Sequence, residues 1–463
     1  MAILAHLAFG LAFLLPQEGL EDSRFTSVLT TSEKSSLNRK AKAWFDVRMD
    51  YEAEENSSKR ISIRKKLSKA RVSFFKEWES KSKKKNPLAN VGDLLAVFEG
   101  VFPYKSQSAS GEVKRIKLKD KDDPEYSQVL PRGYRPKSSY PAVMLVPGYD
   151  ESRGSWEEDS AYFKATWKGN AFGAKSVMVI PRLPDEMLLD PVPDLSRVQD
   201  QVQEMNRVKA IFSPIGAVQR TIHLDRERLI LDCGKGASEF GVRIMTYFPD
   251  RFAGLIVRHP ADIGKTRIDS LMGTPVLIVR SQETKDAADK LREGLDGLLP
   301  GNVTVIEAEG EYPYSGLSDQ IGEWARGVKR DLYRKKVSLV PNHDSFKKGY
   351  WVNIVVAESL DTVSEKDRPH LTAEADKDAN RITITTKSIS SIRLSLNDAL
   401  IDLDKEFTIV VNGKGTTIKR SRNFPKMTEI MFRRFDSGYL FTAEYALTVP
   451  KDSDGSGSDS GVK

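Results

Sequence analysis

Cysteine is almost absent from this chain: Cys233 is the only one in 463 residues. An internal disulfide framework is therefore excluded, as is any metal site built on several thiolates. Histidine is scarce as well. His6, His223, His259, His343 and His370 are scattered, with no pair at ligand spacing, so neither a metal nor another cofactor is expected. No aromatic-interleaved or groove-reading motif is present, and a nucleic-acid partner is not expected. No transmembrane segment is expected either. The apolar run in Met1–Pro16, AILAHLAFGLAFLL, is too short to span a bilayer and has the length of a signal peptide. It lacks a Lys/Arg start and a small-x-small cleavage site, and the competing readings are a mis-called start and an apolar helix. Its length points to export, with the mature chain secreted or held in the periplasm or cell envelope.

What is present is a long, polar chain, 39% apolar and 30% charged, enough for two or three domains. Its net charge of +7 is unevenly spread. Lys59–Lys85 holds twelve Lys/Arg against only Glu77 and Glu79. Such a run can meet an anionic partner, or it can be the solvated face of a helix. The apolar spacing supports the second reading: Ile63, Leu67, Ala70, Phe74 and Trp78 recur on one helical face. Leu37, Ala41, Trp44, Phe45 and Met49 form a similar stripe. A third short helix is expected over Asp93–Phe98, capped by the Asp93 carboxylate. After a signal segment at 1–19, residues 20–108 thus read as a helical lead-in that packs on the domain after it.

From 109 to 336 strands alternate with helices. Expected strands are Glu112–Lys119 at an edge, then Ala142–Val146, Ser176–Ile180, Arg228–Cys233, Phe252–Val257, Pro275–Val279 and Val303–Ala308. Expected helices are Leu195–Ile215, with Val198, Val202, Met205, Val208 and Ile211 facing inward, then Asp286–Leu298 and Leu317–Leu332. That order predicts an α/β fold with a doubly wound, mostly parallel sheet. Residues 337–450 read as a small β domain, with Asn412-Gly413 as the turn of a hairpin. The Gly/Ser/Asp-rich end, 451–463, is expected to be disordered.

The stretch around which this pattern is arranged is 228–262, RLILDCGKGASEFGVRIMTYFPDRFAGLIVRHPAD. It reads as a buried strand, a glycine turn, a helix faced by Phe240, Ile244 and Phe248, and a second strand. It resembles the nucleophile elbow of α/β-hydrolases, where Gly-x-Ser-x-Gly lifts a serine onto the sheet edge at a helix N-terminus. VLPRGYRPKSSYPAVMLVPGYDESRG, from Val129, resembles the entry to secreted esterases and prolyl-oligopeptidase-like hydrolases. SIRLSLNDALIDLDKEFTIVVNG, from Ser391, resembles the carboxyl-terminal β domain of a set of secreted bacterial hydrolases. The resemblance covers about residues 110–450 and implies an α/β-hydrolase domain carrying a β domain.

It also implies where the chemistry should sit, and there the sequence departs. Cys233 stands at the first glycine of the elbow, Lys235 at the serine and Ala237 at the second glycine. In the oxyanion turn, Pro147 stands where the family has histidine, followed by Gly148 and Tyr149, whose amide is still usable. The loop that should carry the acid offers Glu283 or, later, Asp286. The loop that should carry the histidine is Glu309-Gly310-Glu311-Tyr312-Pro313, and no histidine occurs between 260 and 342. No catalytic residue is assigned. Three rescues are open: Ser238 as a displaced nucleophile, Lys235 as an amine, and His259 or His343 as a base from another loop. Gly264-Lys265-Thr266 imitates a phosphate-binding loop, but the required glycine five residues earlier is His259.

The expectation is an exported α/β-hydrolase-fold protein without hydrolase chemistry, binding or scaffolding an unknown small molecule or protein. A lysine and free amides at a helix N-terminus suit an anion, which makes Gly234, Lys235, Gly236, Gly148, Tyr149 and Glu283 the candidate ligand site. The alternative is an active serine esterase or peptidase with an unusual constellation.

Overall fold

The computed structural model describes residues 26–117, 125–148, 155–182 and 198–450. Residues 1–19, where a signal segment is expected, the Gly/Ser/Asp-rich end at 451–463 and Tyr149 lie outside the described residues. The chain opens on three helices: α1 (Thr31–Ala53), α2 (Ser57–Ser82) and α3 (Val91–Phe98). The cap of α3 is Asn90, whose side chain accepts from the Asp93 N–H. Asp93 does something else: its buried carboxylate takes the amides of Val28 and Leu29, the Ser27 hydroxyl and the Lys34 ammonium.

The central sheet has eight strands: β1 (Lys114–Ile116), β2 (Tyr126–Val129), β3 (Tyr140–Val146), β4 (Val177–Pro181), β5 (Leu224–Cys233), β6 (Gly254–Arg258), β7 (Val276–Arg280) and β8 (Val303–Glu307). Their order is β1-β2-β4-β3-β5-β6-β7-β8. β2 runs antiparallel to both of its neighbours, β1 and β4, and every pairing from β4–β3 to β7–β8 is parallel. Alternation of side chains along a strand divides the core in two. Ala142, Met144 and Val146 meet α5 (Val198–Thr221), α6 (Ser238–Tyr247) and α7 (Lys285–Leu298) on one face. Val143 and Leu145 meet α4 (Trp156–Thr166) and α8 (Ser318–Gly327) on the other. With helices on both faces of a largely parallel sheet, this is the α/β-hydrolase fold that residues 228–262 led us to expect.

Some expectations need correction. The closing helix stops at Gly327, not Leu332. On α5, Val202 and Met205 are exposed, and Glu204 and Arg207 are buried in their place. The buried carboxylate is tolerated because Arg243, Arg207 and the Tyr247 hydroxyl all bond to it.

Two further sheets form the β domain. One is built from β10 (Lys348–Gly349), β11 (Val352–Ala357), β14 (Ile389–Leu396) and β17 (Ala443–Thr448). The other holds β9 (Lys336–Leu339), β12 (His370–Asp376), β13 (Arg381–Lys387), β15 (Phe407–Val411) and β16 (Lys414–Ile418). Trp351, Ile354, Ile392 and Leu394 share one core with Leu371, Ile382, Ile384 and Ile409. Asn412 and Gly413 turn the β15–β16 hairpin at φ 47° and 81°.

An eleven-residue helix, α9 (Phe424–Arg434), interrupts these strands. It changes the place of the helical lead-in. Phe45, Phe74, Trp78 and Phe98 pack mainly on Phe424, Met427, Met431 and Phe432 of α9 rather than on the eight-stranded sheet. Trp78 stacks on Phe424 at 3.9 Å between ring centres. Among the described residues, no helix is long and apolar enough to cross a membrane.

Candidate functional site

The elbow forms where β5 ends and α6 begins. Lys235 is at its tip, partly exposed, with Gly236 at φ 77° beside it. Positive φ is the reason a glycine follows the tip. The Gly234 amide donates to the Val146 carbonyl at 2.8 Å, which pins the elbow to the end of β3. Gly148 has φ 65° and lies against the elbow backbone. A β-carbon on Gly148 would overlap the Lys235 carbonyl oxygen, and one on Gly234 would overlap the Pro147 carbonyl. The two turns are thus pressed together backbone to backbone.

A tyrosine bridges them. The Tyr312 hydroxyl donates to the Pro147 carbonyl at 2.5 Å. The Lys235 backbone faces the same hydroxyl. The Tyr162 hydroxyl of α4 is 3.3 Å away. Burial pushes both phenols above their ordinary range, so both stay protonated. Tyr312 comes from the loop after β8, where the resemblance led us to look for a histidine, and its hydroxyl reaches the Pro147 turn beside the elbow. The Ala237 N–H bonds the Gly234 carbonyl at 3.0 Å, so that the Gly234 and Ala237 amides are both engaged.

Behind the tip stands a buried ion pair. Asp232, one residue before Cys233, meets Arg258 at the end of β6 with Nε–Oδ1 2.9 Å and Nη2–Oδ2 3.0 Å. Both side chains are fully buried. The Trp167 indole donates to Asp232 at 2.7 Å, and Arg258 reaches the Pro313 carbonyl at 3.4 Å. The pair therefore ties the elbow strand to the Tyr312 loop.

None of the expected rescues is assembled. Ser238 is the first residue of α6, is 1% exposed, and its hydroxyl has no hydrogen-bond partner among the described residues. The Cys233 thiol is buried, and burial pushes its pKa well up, so it is not a thiolate. His343 accepts from the Ser345 amide at 3.0 Å, beside Phe346. His223 stacks on Tyr104 at 4.3 Å. In the β domain Ser338 Oγ and His370 Nε2 are 3.5 Å apart, too far for a strong bond, and Ser338 is buried.

His259 is the histidine near the elbow. It follows the last residue of β6 and has φ 57°, a rare backbone for a non-glycine residue. Nδ1 is 2.7 Å from the Tyr314 hydroxyl and Nε2 is 3.9 Å from Glu283. Glu283 is 77% exposed, so it is a loose partner. Asp286 lies in the first turn of α7 rather than joining this pair. The sequence reasoning named Glu283 and His259 but missed Tyr312, Tyr162, Tyr314, Asp232 and Arg258. A signal for the last two was there: a carboxylate and a guanidinium interrupt neighbouring apolar strands, in "LILDC" and "LIVRH". Among the described residues, no group of three His, Cys, Asp or Glu side chains is placed to hold a metal ion.

Solved structures, two of them of esterases, show a partial likeness. A thermostable esterase aligns with 17% identity and a TM-score of 0.37, over 47% of this chain and 64% of its own, so less than two thirds of that esterase is matched. The BES protein from Bacillus cereus aligns with 14% identity and a TM-score of 0.34, over 48% of this chain and 98% of its own. A ferulic acid esterase from the anaerobic fungus Anaeromyces mucronatus has 14% identity and a TM-score of 0.34, over 49% of this chain and 94% of its own. No protein-family model and no curated protein matches the sequence.

Proposed function

We propose that this chain is an exported α/β-hydrolase-fold protein that has exchanged acyl-transfer chemistry for binding or scaffolding. The observation that carries this reading is the Tyr312 hydroxyl, hydrogen bonded to the Pro147 carbonyl and facing the Lys235 backbone. A hydrolase needs a hydroxyl or thiol at the tip, a base in reach of it, and open amides for the oxyanion. Here a lysine holds the tip, His259 bonds a tyrosine, and a phenol fills the gap between the two turns. Against the alternative, an unusual serine esterase or peptidase, stands the burial of Ser238.

The test is covalent labelling with a fluorophosphonate, paired with p-nitrophenyl acetate turnover, for the wild type and Ser238→Ala. Equal, background-level signals are expected from both. An adduct on Ser238 with turnover that the variant loses would overturn the reading.

Within it, Lys235 and the Gly236 amide are the anion-facing groups of the site. Titration with small carboxylates and sulfate is expected to show about tenfold weaker binding in Lys235→Ala, the effect of one charge-assisted hydrogen bond. Unchanged affinity for every anion would remove Lys235 from the site and leave the non-catalytic reading standing.

A further inference from the structure

The longest stretch of one charge sign in the chain is not used by the elbow, the sheet or the β domain. From Ser57 to Lys76 there are eight cations and no acid: Lys59, Arg60, Arg64, Lys65, Lys66, Lys69, Arg71 and Lys76. All of it lies in α2. Among the described residues, none of the eight has a carboxylate partner; Arg60 and Arg71 rest on the rings of Tyr51 and Phe75. Further along the same helix and just after it, Lys81 is paired with Glu77 and Lys85 with Glu33.

Helix geometry sorts the cations. At 100° per residue, Lys65, Lys69 and Lys76 share an arc of about 40° opposite the side that buries Leu67, Ala70 and Phe74. Arg60, Arg64 and Arg71 form a second row on the flank. The lysine row is not purely polar. Ile61 and Val72 border it, 62% and 49% exposed. From Ile61 to Lys76 the row is about 22 Å long. The first three turns of α2 are exposed almost all round, because packing on α1 and α9 begins only near Leu67 and is complete at Phe74 and Trp78.

We propose that this outer face of α2 is a docking surface for an anionic phospholipid bilayer. Charge complementarity supplies the attraction: four to eight basic residues on one helix suffice for adsorption to acidic headgroups. The two exposed aliphatic side chains select the lipid. A headgroup layer gives an ammonium its phosphate and gives a short aliphatic side chain a place at the acyl boundary. A nucleic-acid duplex offers phosphates but nothing for Ile61 and Val72. The aromatic side of α2 is spent on α9, so the contact is a surface one, without deep insertion.

The experiment is co-sedimentation of the full chain with vesicles of phosphatidylcholine alone or phosphatidylcholine with phosphatidylglycerol. Binding is expected only to the acidic vesicles and should be largely lost near 0.5 M salt, where screening is within a few ångströms. Lys65→Gln/Lys69→Gln/Lys76→Gln should weaken it more than tenfold, since each cation near the surface is worth about fivefold. Ile61→Ser/Val72→Ser should weaken it severalfold with all charges kept. Both variants change exposed side chains and should keep the wild-type circular dichroism spectrum. The proposal falls if binding is indifferent to acidic lipid, if the lysine triple variant binds like the wild type, or if the serine variant does. Tighter binding to a short DNA duplex than to acidic vesicles, lost in the lysine variant, would also overturn it.

Discussion

Arg330→Met is expected to lower the unfolding free energy by about 3–5 kcal/mol, the usual cost of stranding one member of a buried ion pair. Arg330 and Asp436 are both fully buried, 2.7 Å apart at Nη1–Oδ2, at the seam between the part built on the eight-stranded sheet and the β sheets that follow it. Arg330 also bonds Glu227 at 2.7 Å and the Asp250 carbonyl at 3.0 Å. Arg434 of α9 reaches the Asp250 carboxylate at 2.8 Å. Methionine keeps much of the side-chain volume, so the loss reports charge rather than a cavity. Urea unfolding at neutral pH measures it. The pH dependence gives an independent reading. Although burial opposes it, the nearby Arg330, Arg226 and Arg434 hold the Asp436 carboxyl below the usual range. A carboxyl with a depressed folded pKa stabilises the fold above its unfolded value, near 4, and that share is lost as pH falls below it. Without Arg330 the depression shrinks, and the variant should lose less stability than the wild type over the same acid step. A variant as stable as the wild type at neutral pH would mean that the seam is not held by this pair.

How far the sequence led can be judged from particular residues. β5, the glycine turn, α6 and β6 were legible because apolar runs and glycines punctuate each other within thirty-five residues, and each contact needed to read them is local. The Asn412-Gly413 hairpin was legible for the same reason. α9 was not, although Phe424, Met427 and Met431 fall on one helical face. Its partners are in α1 and α2, some 350 residues earlier, and the surrounding strands masked its period. On α5 the assumption that apolar residues face inward failed, because Glu204 is compensated by Arg207 on its own helix and by Arg243 and Tyr247 on α6. Asp93 misled in a similar way: it has the chemistry of a cap but serves the backbone at Val28 and Leu29. At the site, the lysine at the tip and the lack of a histidine in the loop after β8 could be read directly. What fills the gap could not. Tyr312 and the carbonyl it bonds are 165 positions apart, and no spacing rule links them.

Gly148→Ala should cost more than 4 kcal/mol, or prevent folding, whereas Gly133→Ala should cost about 1–2 kcal/mol. Both glycines have the left-handed backbone, at φ 65° and 76°, so the conformational penalty for an added β-carbon is shared. Their surroundings differ. A β-carbon on Gly133 would have nothing within 4 Å. One on Gly148 would overlap the Lys235 carbonyl oxygen and crowd the Ala237 amide nitrogen, both of them backbone. No flexible side chain can give way there. The elbow is fixed by the Gly234–Val146 hydrogen bond, the turn by the Tyr312–Pro147 bond, and the strands behind them by the fully buried Asp232–Arg258 pair. Relief requires the two turns to part, and the Tyr312 hydroxyl then loses its seat between them. The difference between the two alanine variants, measured by urea unfolding, isolates the turn-on-elbow contact from the glycine preference. If Gly148→Ala is no more destabilising than Gly133→Ala, the turns are not in backbone contact in solution. The gap is then open to a ligand, and the argument that Tyr312 excludes acyl chemistry loses its support.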